Sequence, residues 1–97
     1  MSGYGVYTWS KEEKFYEGTF LMDKKHGWGK MTLCDGSYYE GEWKENLKDG
    51  IGSKMNAKGE VTYGRWKSGQ MTEEVGETKF KDAKRVLQEE LEQETEE

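Results

Sequence analysis

Proline is absent from this chain of 97 residues, and cysteine occurs once, at Cys34. Without proline every backbone amide past the first can donate, so nothing interrupts a continuous hydrogen-bonded sheet. A lone cysteine excludes an intramolecular disulfide and fits a reducing compartment. Aliphatic side chains are scarce. Apolar residues make up 32% of the chain, against about 45–50% for ordinary globular domains on a count that also includes glycine. That stock cannot fill a thick two-layer core. No apolar run approaches the ~18 residues needed to cross a bilayer, and none of signal-peptide length opens the chain. A cytoplasmic location is therefore expected. Excess positive charge is missing too: the net charge is −5, with +1 on residues 1–71 and −6 on residues 72–97. A nucleic-acid partner, which demands a basic patch, is excluded on that ground.

The usual chemical constellations are equally sparse. His26 is the only histidine, and with no second histidine and no cysteine pair a metal site is not expected. Cys34, beside Asp35-Gly36, reads as a turn-flanking residue and not as a nucleophile. Gly3-Tyr4-Gly5 and Gly27-Trp28-Gly29 lack the Gly-Lys-Ser/Thr ending of a phosphate loop and precede strands instead of helices. The chain is read as a non-enzyme without a cofactor.

What the sequence does hold is rings and glycines: four Trp, six Tyr, three Phe and thirteen Gly. They recur with a period of 23 residues. Tyr16, Glu17, Gly18 and Phe20 fall on Tyr39, Glu40, Gly41 and Trp43; Gly27, Gly29 and Gly36 fall on Gly50, Gly52 and Gly59. Gly64 and Trp66 begin a third unit, while Gly3, Gly5 and Thr8 match Gly27, Gly29 and Thr32 if one residue is inserted near Lys11 to Lys14. Fixed short periods mark stacked arrays, which bind far more often than they catalyse.

Within each unit, rings and glycines alternate with charged residues at period two. That places Tyr39, Gly41 and Trp43 on one face of a strand and the two glutamates between them on the other. Six antiparallel strands are expected in a meander: Gly5 to Trp9, Phe15 to Phe20, Gly29 to Leu33, Tyr39 to Trp43, Gly52 to Asn56 and Val61 to Trp66. Asp35-Gly36 and Lys58-Gly59 supply turns, and longer charged loops are expected over 21–26 and 44–49. Gly18, Gly41 and Gly64, each between two ring positions, are expected to lie under rings from neighbouring strands. The Gly27/Gly29 and Gly50/Gly52 pairs are expected to let a strand bend close to its neighbour. Beyond Trp66 the pattern stops, since Glu73 and Val75 stand one period after Gly50 and Gly52. Residues 72–97 then turn to strong helix formers. Phe80, Ala83, Val86, Leu87 and Leu91 form an amphipathic stripe, with Thr78 or Thr72 as candidate N-caps. Such a helix either folds over its own groove or packs into a partner, and so narrow a stripe favours pairing with a partner helix.

Tyr-Glu-Gly-x-Trp/Phe, followed by Gly-x-Gly and an Asp-Gly-like turn, resembles the MORN repeat. Two complete units span 16–38 and 39–61, with partial units at 1–15 and 62–71 and the acidic helix at 72–97. The departures are Thr62 in place of tyrosine, Asn56 in place of Leu33, and a third unit without its second strand. The resemblance implies a mainly β, single-layer twisted meander with rings along one concave face. It further implies a non-catalytic scaffold or adaptor in a cytoskeletal or ciliary assembly, axonemal or radial-spoke-like. On that reading Tyr7, Trp9, Tyr16, Phe20, Trp28, Tyr39, Trp43 and Trp66 form the binding face for helical or extended protein segments. Tyr7, Trp9, Phe20 and Trp28 are expected to make the direct contacts. The alternative is a membrane-surface adaptor, with Lys24, Lys25, Lys44, Lys48 and Lys67 meeting anionic lipid.

Overall fold

The computed structural model describes residues 2–95, and side chains as far as residue 86. The strands are β1 Gly3–Trp9, β2 Lys14–Leu21, β3 Lys24–Thr32, β4 Tyr38–Lys44, β5 Leu47–Met55, β6 Val61–Lys67 and β7 Gln70–Glu74, followed by helix α1 Glu77–Thr95. They form one open antiparallel sheet in chain order, β1 to β7. The two-residue alternation does what the sequence demands of it. Along β2, Tyr16, Gly18 and Phe20 are buried while their neighbours are less so, and along β4 the same holds for Tyr39, Gly41 and Trp43. The register then lines glycines up across the strands: Gly5 opposite Gly18, Gly18 opposite Gly29, Gly29 opposite Gly41, Gly41 opposite Gly52 and Gly52 opposite Gly64.

Three expectations are corrected. First, there are seven strands, because the third unit does complete its hairpin through β7. Without the Gly-x-Gly pair, β7 is held by other means: Arg65 Nε donates to Glu73 Oε1 at 2.9 Å, and Thr72 Oγ1 donates to Arg65 O at 3.2 Å. Second, the expected long loops are two-residue turns, Met22-Asp23 and Glu45-Asn46, with all four residues at positive φ. Such turns match strand twist, and asparagine and aspartate tolerate that conformation better than most residues. Asn46 repays it by bonding backwards: its amide donates to Lys25 O at 3.0 Å, and its Oδ1 accepts from Lys25 N at 2.9 Å. One period on, Gly69 N donates to Lys48 O at 2.9 Å, so successive hairpin tips are linked in a row. Third, neither threonine caps α1. Thr72 lies in β7, and Gly76 O accepts from Lys79 N at 3.1 Å and Phe80 N at 3.4 Å, which puts the cap at Gly76.

The turns at Gly36 and Gly59 are as expected, each glycine at positive φ and each turn closed by paired bonds, Gly36 N to Leu33 O and Gly59 N to Asn56 O, both 3.0 Å.

Candidate functional site

The sheet has two dissimilar faces. One gathers the rings: Tyr16, Phe20, Tyr39, Trp43 and Trp66 are buried together, with Trp9 and Met31 packed against them. They form an edge-to-face ladder. Tyr16 meets Phe20 at 5.0 Å and Trp43 at 5.5 Å, and Tyr39 meets Trp43 at 5.2 Å and Trp66 at 4.9 Å, at interplanar angles of 76–88°. Edge-to-face contact sets the positive rim of one ring against the negative face of the next, adding about 0.5–1.5 kcal/mol per pair beyond burial.

Glycine makes the ladder possible, though by a different contact from the one expected. The ring over Gly29 comes from Tyr16, on the adjacent strand: a Cβ at Gly29 would sit 2.0 Å from the phenol oxygen. Tyr39 covers Gly52 in the same way, at 2.4 Å. Gly18 and Gly41 answer a second need. A Cβ there would lie 2.4 Å from the Cα of Gly29 and of Gly52, so these glycines allow two backbones to approach. Each phenol crosses its glycine and donates to a carbonyl on its own strand, Tyr16 to Thr19 O at 2.9 Å and Tyr39 to Glu42 O at 3.0 Å. Trp43 Nε1 donates to Gly29 O at 3.0 Å in the buried interior. In the third unit Thr62 offers no ring, and Met71 covers Gly64 instead, 3.0 Å from a hypothetical Cβ.

Gly27 and Gly50 have their own role. Between the pairs Gly18–Gly29 and Phe20–Lys25, Thr19 alone opposes His26, Gly27 and Trp28. Glu42 likewise opposes Asp49, Gly50 and Ile51. These bulges require positive φ at the glycine, 84° and 106°. The side chain opposite closes each one: Thr19 Oγ1 donates to His26 O, and Glu42 Oε2 accepts from Ile51 N at 2.6 Å.

Lysines stand over the rings. Lys25 Nζ lies 5.2 Å from the ring centre of Trp9, 5.5 Å from Trp43 and 5.9 Å from Tyr16; Lys48 Nζ lies 5.1 Å from Tyr39 and Lys14 Nζ 5.2 Å from Trp9. Partial burial, then the neighbouring charges of Lys14 and Lys54, lowers the pKa of Lys25 and Lys48 respectively. Burial drives the phenols of Tyr16 and Tyr39 well above the usual tyrosine value. Two hollows of about 400 Å³ each open on this face. One lies among Tyr7, Trp9, Phe20 and Lys25, the other among Lys25, Met31, Trp43, Lys48 and Lys54; Asn46 lines both.

Of the eight expected binding rings, seven share this face. Tyr7 is 49% exposed and meets Trp9 at 4.6 Å with the rings tilted by 52°, whereas Phe20 is buried and serves the ladder first. Trp28 is the exception. Pairing with Glu42 turns it to the opposite face, since it lies one residue from Gly29. There Phe80 of α1 packs between Trp28, at 5.5 Å, and Tyr63, at 5.2 Å. Lys84 Nζ pairs with Glu40 Oε2 at 2.9 Å, and that same oxygen accepts from Trp28 Nε1 at 3.4 Å. The helix therefore docks on its own sheet through its first two turns, the less favoured of the two expected placements. Ala83 is half-buried and Val86 is 47% exposed; the side chains of Leu87 and Leu91 lie outside the described residues. Tyr63, absent from the expected site, is found only when the β5–β6 register is known, because Thr62 shifts the tyrosine by one and so to the other face.

No curated protein sequence matches the chain significantly. The family profile for the MORN repeat matches residues 1–12, 16–38 and 39–61, which hold every ring of the ladder except Trp66. The chain thus belongs to the MORN-repeat family, whose repeats are commonly involved in protein or membrane-lipid interactions.

Proposed function

We propose that this chain is a non-catalytic adaptor that captures protein segments on its ring face within a cytoskeletal or ciliary assembly of the axonemal or radial-spoke kind. The observation that carries the reading is the asymmetry of the sheet. One face carries α1, seated through Phe80 and Lys84 on Trp28, Tyr63 and Glu40, while the other has the two larger hollows, floored by rings, with no element of the described chain over them. Open apolar surface with a polar rim is the usual mark of a binding site. No reaction is assigned: the hydroxyl–carboxylate contact at the hollows, Ser37 with Asp35, closes an exposed turn and has no histidine beside it.

Proximity labelling from the full-length chain in a ciliated cell tests this. Enrichment of axonemal proteins that is lost in a Tyr7→Ala/Trp9→Ala variant of unchanged circular dichroism is the expected result. Salt-sensitive retention on phosphatidylserine vesicles, without protein enrichment, would transfer the assignment to a membrane-surface adaptor.

A further inference from the structure

We infer that the ring face is built for an acidic protein segment, whose carboxylates complete Lys25 and Lys48 while an apolar side chain enters a hollow beside them. This deepens the adaptor reading and rests on it. Lys25 and Lys48 are repeat-equivalent, one period of 23 residues apart, and the register puts both on the ring face, opposite Phe20 and Trp43. Alternation puts Lys14 and Lys54 there as well, and sends Glu17, Glu40 and Glu42 to the helix face. The ring face so gathers four lysines, with one strand carboxylate, Glu74 opposite Gly64, at its far end. On the helix face, which also holds Lys30, Lys84 pairs with Glu40 and Arg65 with Glu73. On the ring face, among the described residues, neither Lys25 nor Lys48 has a carboxylate partner. Ring faces stabilise a cation only in part, and burial without a counter-charge leaves a cost that an incoming anion removes. The third unit shows what the fold itself asks for at this position. Met71 stands one period after Lys48, so lysine is not required for folding there.

The two hollows share Lys25 and Asn46, so together they run across successive hairpins as one track. A chain that sets carboxylates on Lys25 and Lys48 leaves its apolar side chain between them, toward Trp43 and Met31. A protein segment fits better than a bilayer. Asp35 lines one hollow, and hydrogen bonds from Ser37 lower the pKa of its carboxyl. That charge opposes a continuous anionic surface but not a strand or helix that carries its charges inward. The −6 tail opposes such a surface as well.

The probe is a fluorescein-labelled peptide with glutamates flanking a central phenylalanine, beside its glutamine counterpart, titrated by anisotropy with the full chain. The glutamate peptide is expected to bind at least about tenfold tighter, the effect of roughly 1.4 kcal/mol. Lys25→Met/Lys48→Met, which copies the third unit, should erase that margin to within about twofold of the glutamine peptide. The same variant should melt no lower than wild type, which separates lost binding from lost folding. Lys79→Gln/Lys81→Gln, which changes net charge equally on α1, should keep the margin. Equal affinity for the two peptides overturns the charge assignment while leaving the adaptor reading standing. Failure of both peptides to bind, equal loss in the α1 control, or tighter retention on phosphatidylserine vesicles than by the peptide overturns it too.

Discussion

Individual contacts here are matched pairs of a large and an absent side chain. Tyr16 fits because Gly29 has no Cβ, and Tyr39 because Gly52 has none. Gly29→Ala should therefore destabilise the chain by more than the 1–3 kcal/mol typical of an overpacked core, since ring and backbone are both fixed. Urea unfolding measures it. Gly36→Ala, at positive φ but with open space around it, should cost only about 1–2 kcal/mol for the left-handed conformation. Tyr16→Phe removes the bond to Thr19 O alone, worth about 0.5–1.5 kcal/mol. The phenols also set an alkaline limit. Their folded pKa values are raised, chiefly by burial, above the ordinary value of 10.0. The neutral form is thus favoured by folding: its stabilisation is full below pH 10 and is lost as pH rises through the folded values. Lys25 and Lys48, lowered by burial, act the other way as they discharge at high pH. In Lys25→Met/Lys48→Met the tyrosine effect should stand alone, seen as a urea midpoint that falls above about pH 10. Adding Tyr16→Phe should flatten that fall.

Among the elements, the hairpins were largely legible and the helix only half so. The 23-residue period fixed which residues turn inward on β2 and β4, because ring, glycine and ring at period two admit one register only. The turns were misread since Met22-Asp23 and Glu45-Asn46 contain no glycine, although they adopt the conformation glycine favours. β7 was missed because its strength lies in pairings with β6, Arg65 with Glu73 and Met71 over Gly64, that no local pattern announces. Trp28 was put on the wrong face for a related reason. The family resemblance gathers it with the other rings, whereas the alternation at Gly29 sends it to α1. The helix itself is anchored by one ring. Phe80→Ala should leave strand circular dichroism intact and release α1, so that hydrogen exchange over residues 80–86 accelerates while β2 to β5 keep their protection. A loss of strand protection in that variant would show that α1 holds the sheet together and does not merely cover it.

Taken whole, the molecule is a ribbon whose core is the side of a sheet and not the space between two layers. Burying the rings needs no second layer because each hairpin supplies the rim, face or carbonyl that the next one uses. The same economy leaves the ring face open, with Lys25 and Lys48 above its rings and without a carboxylate partner among the described residues, which is the basis of both the adaptor reading and the acidic partner. The account stands on Trp43, whose indole bridges two hairpins by donating to Gly29 O at 3.0 Å in a buried setting. Hydrogen exchange of the four indole protons, followed by NMR, probes that bridge directly. Trp43 should exchange only through global unfolding, far more slowly than Trp9, and should lose its protection in Gly29→Ala. A Trp43 indole that exchanges as fast as that of Trp9 in the folded wild type would contradict the ladder and the binding face built on it.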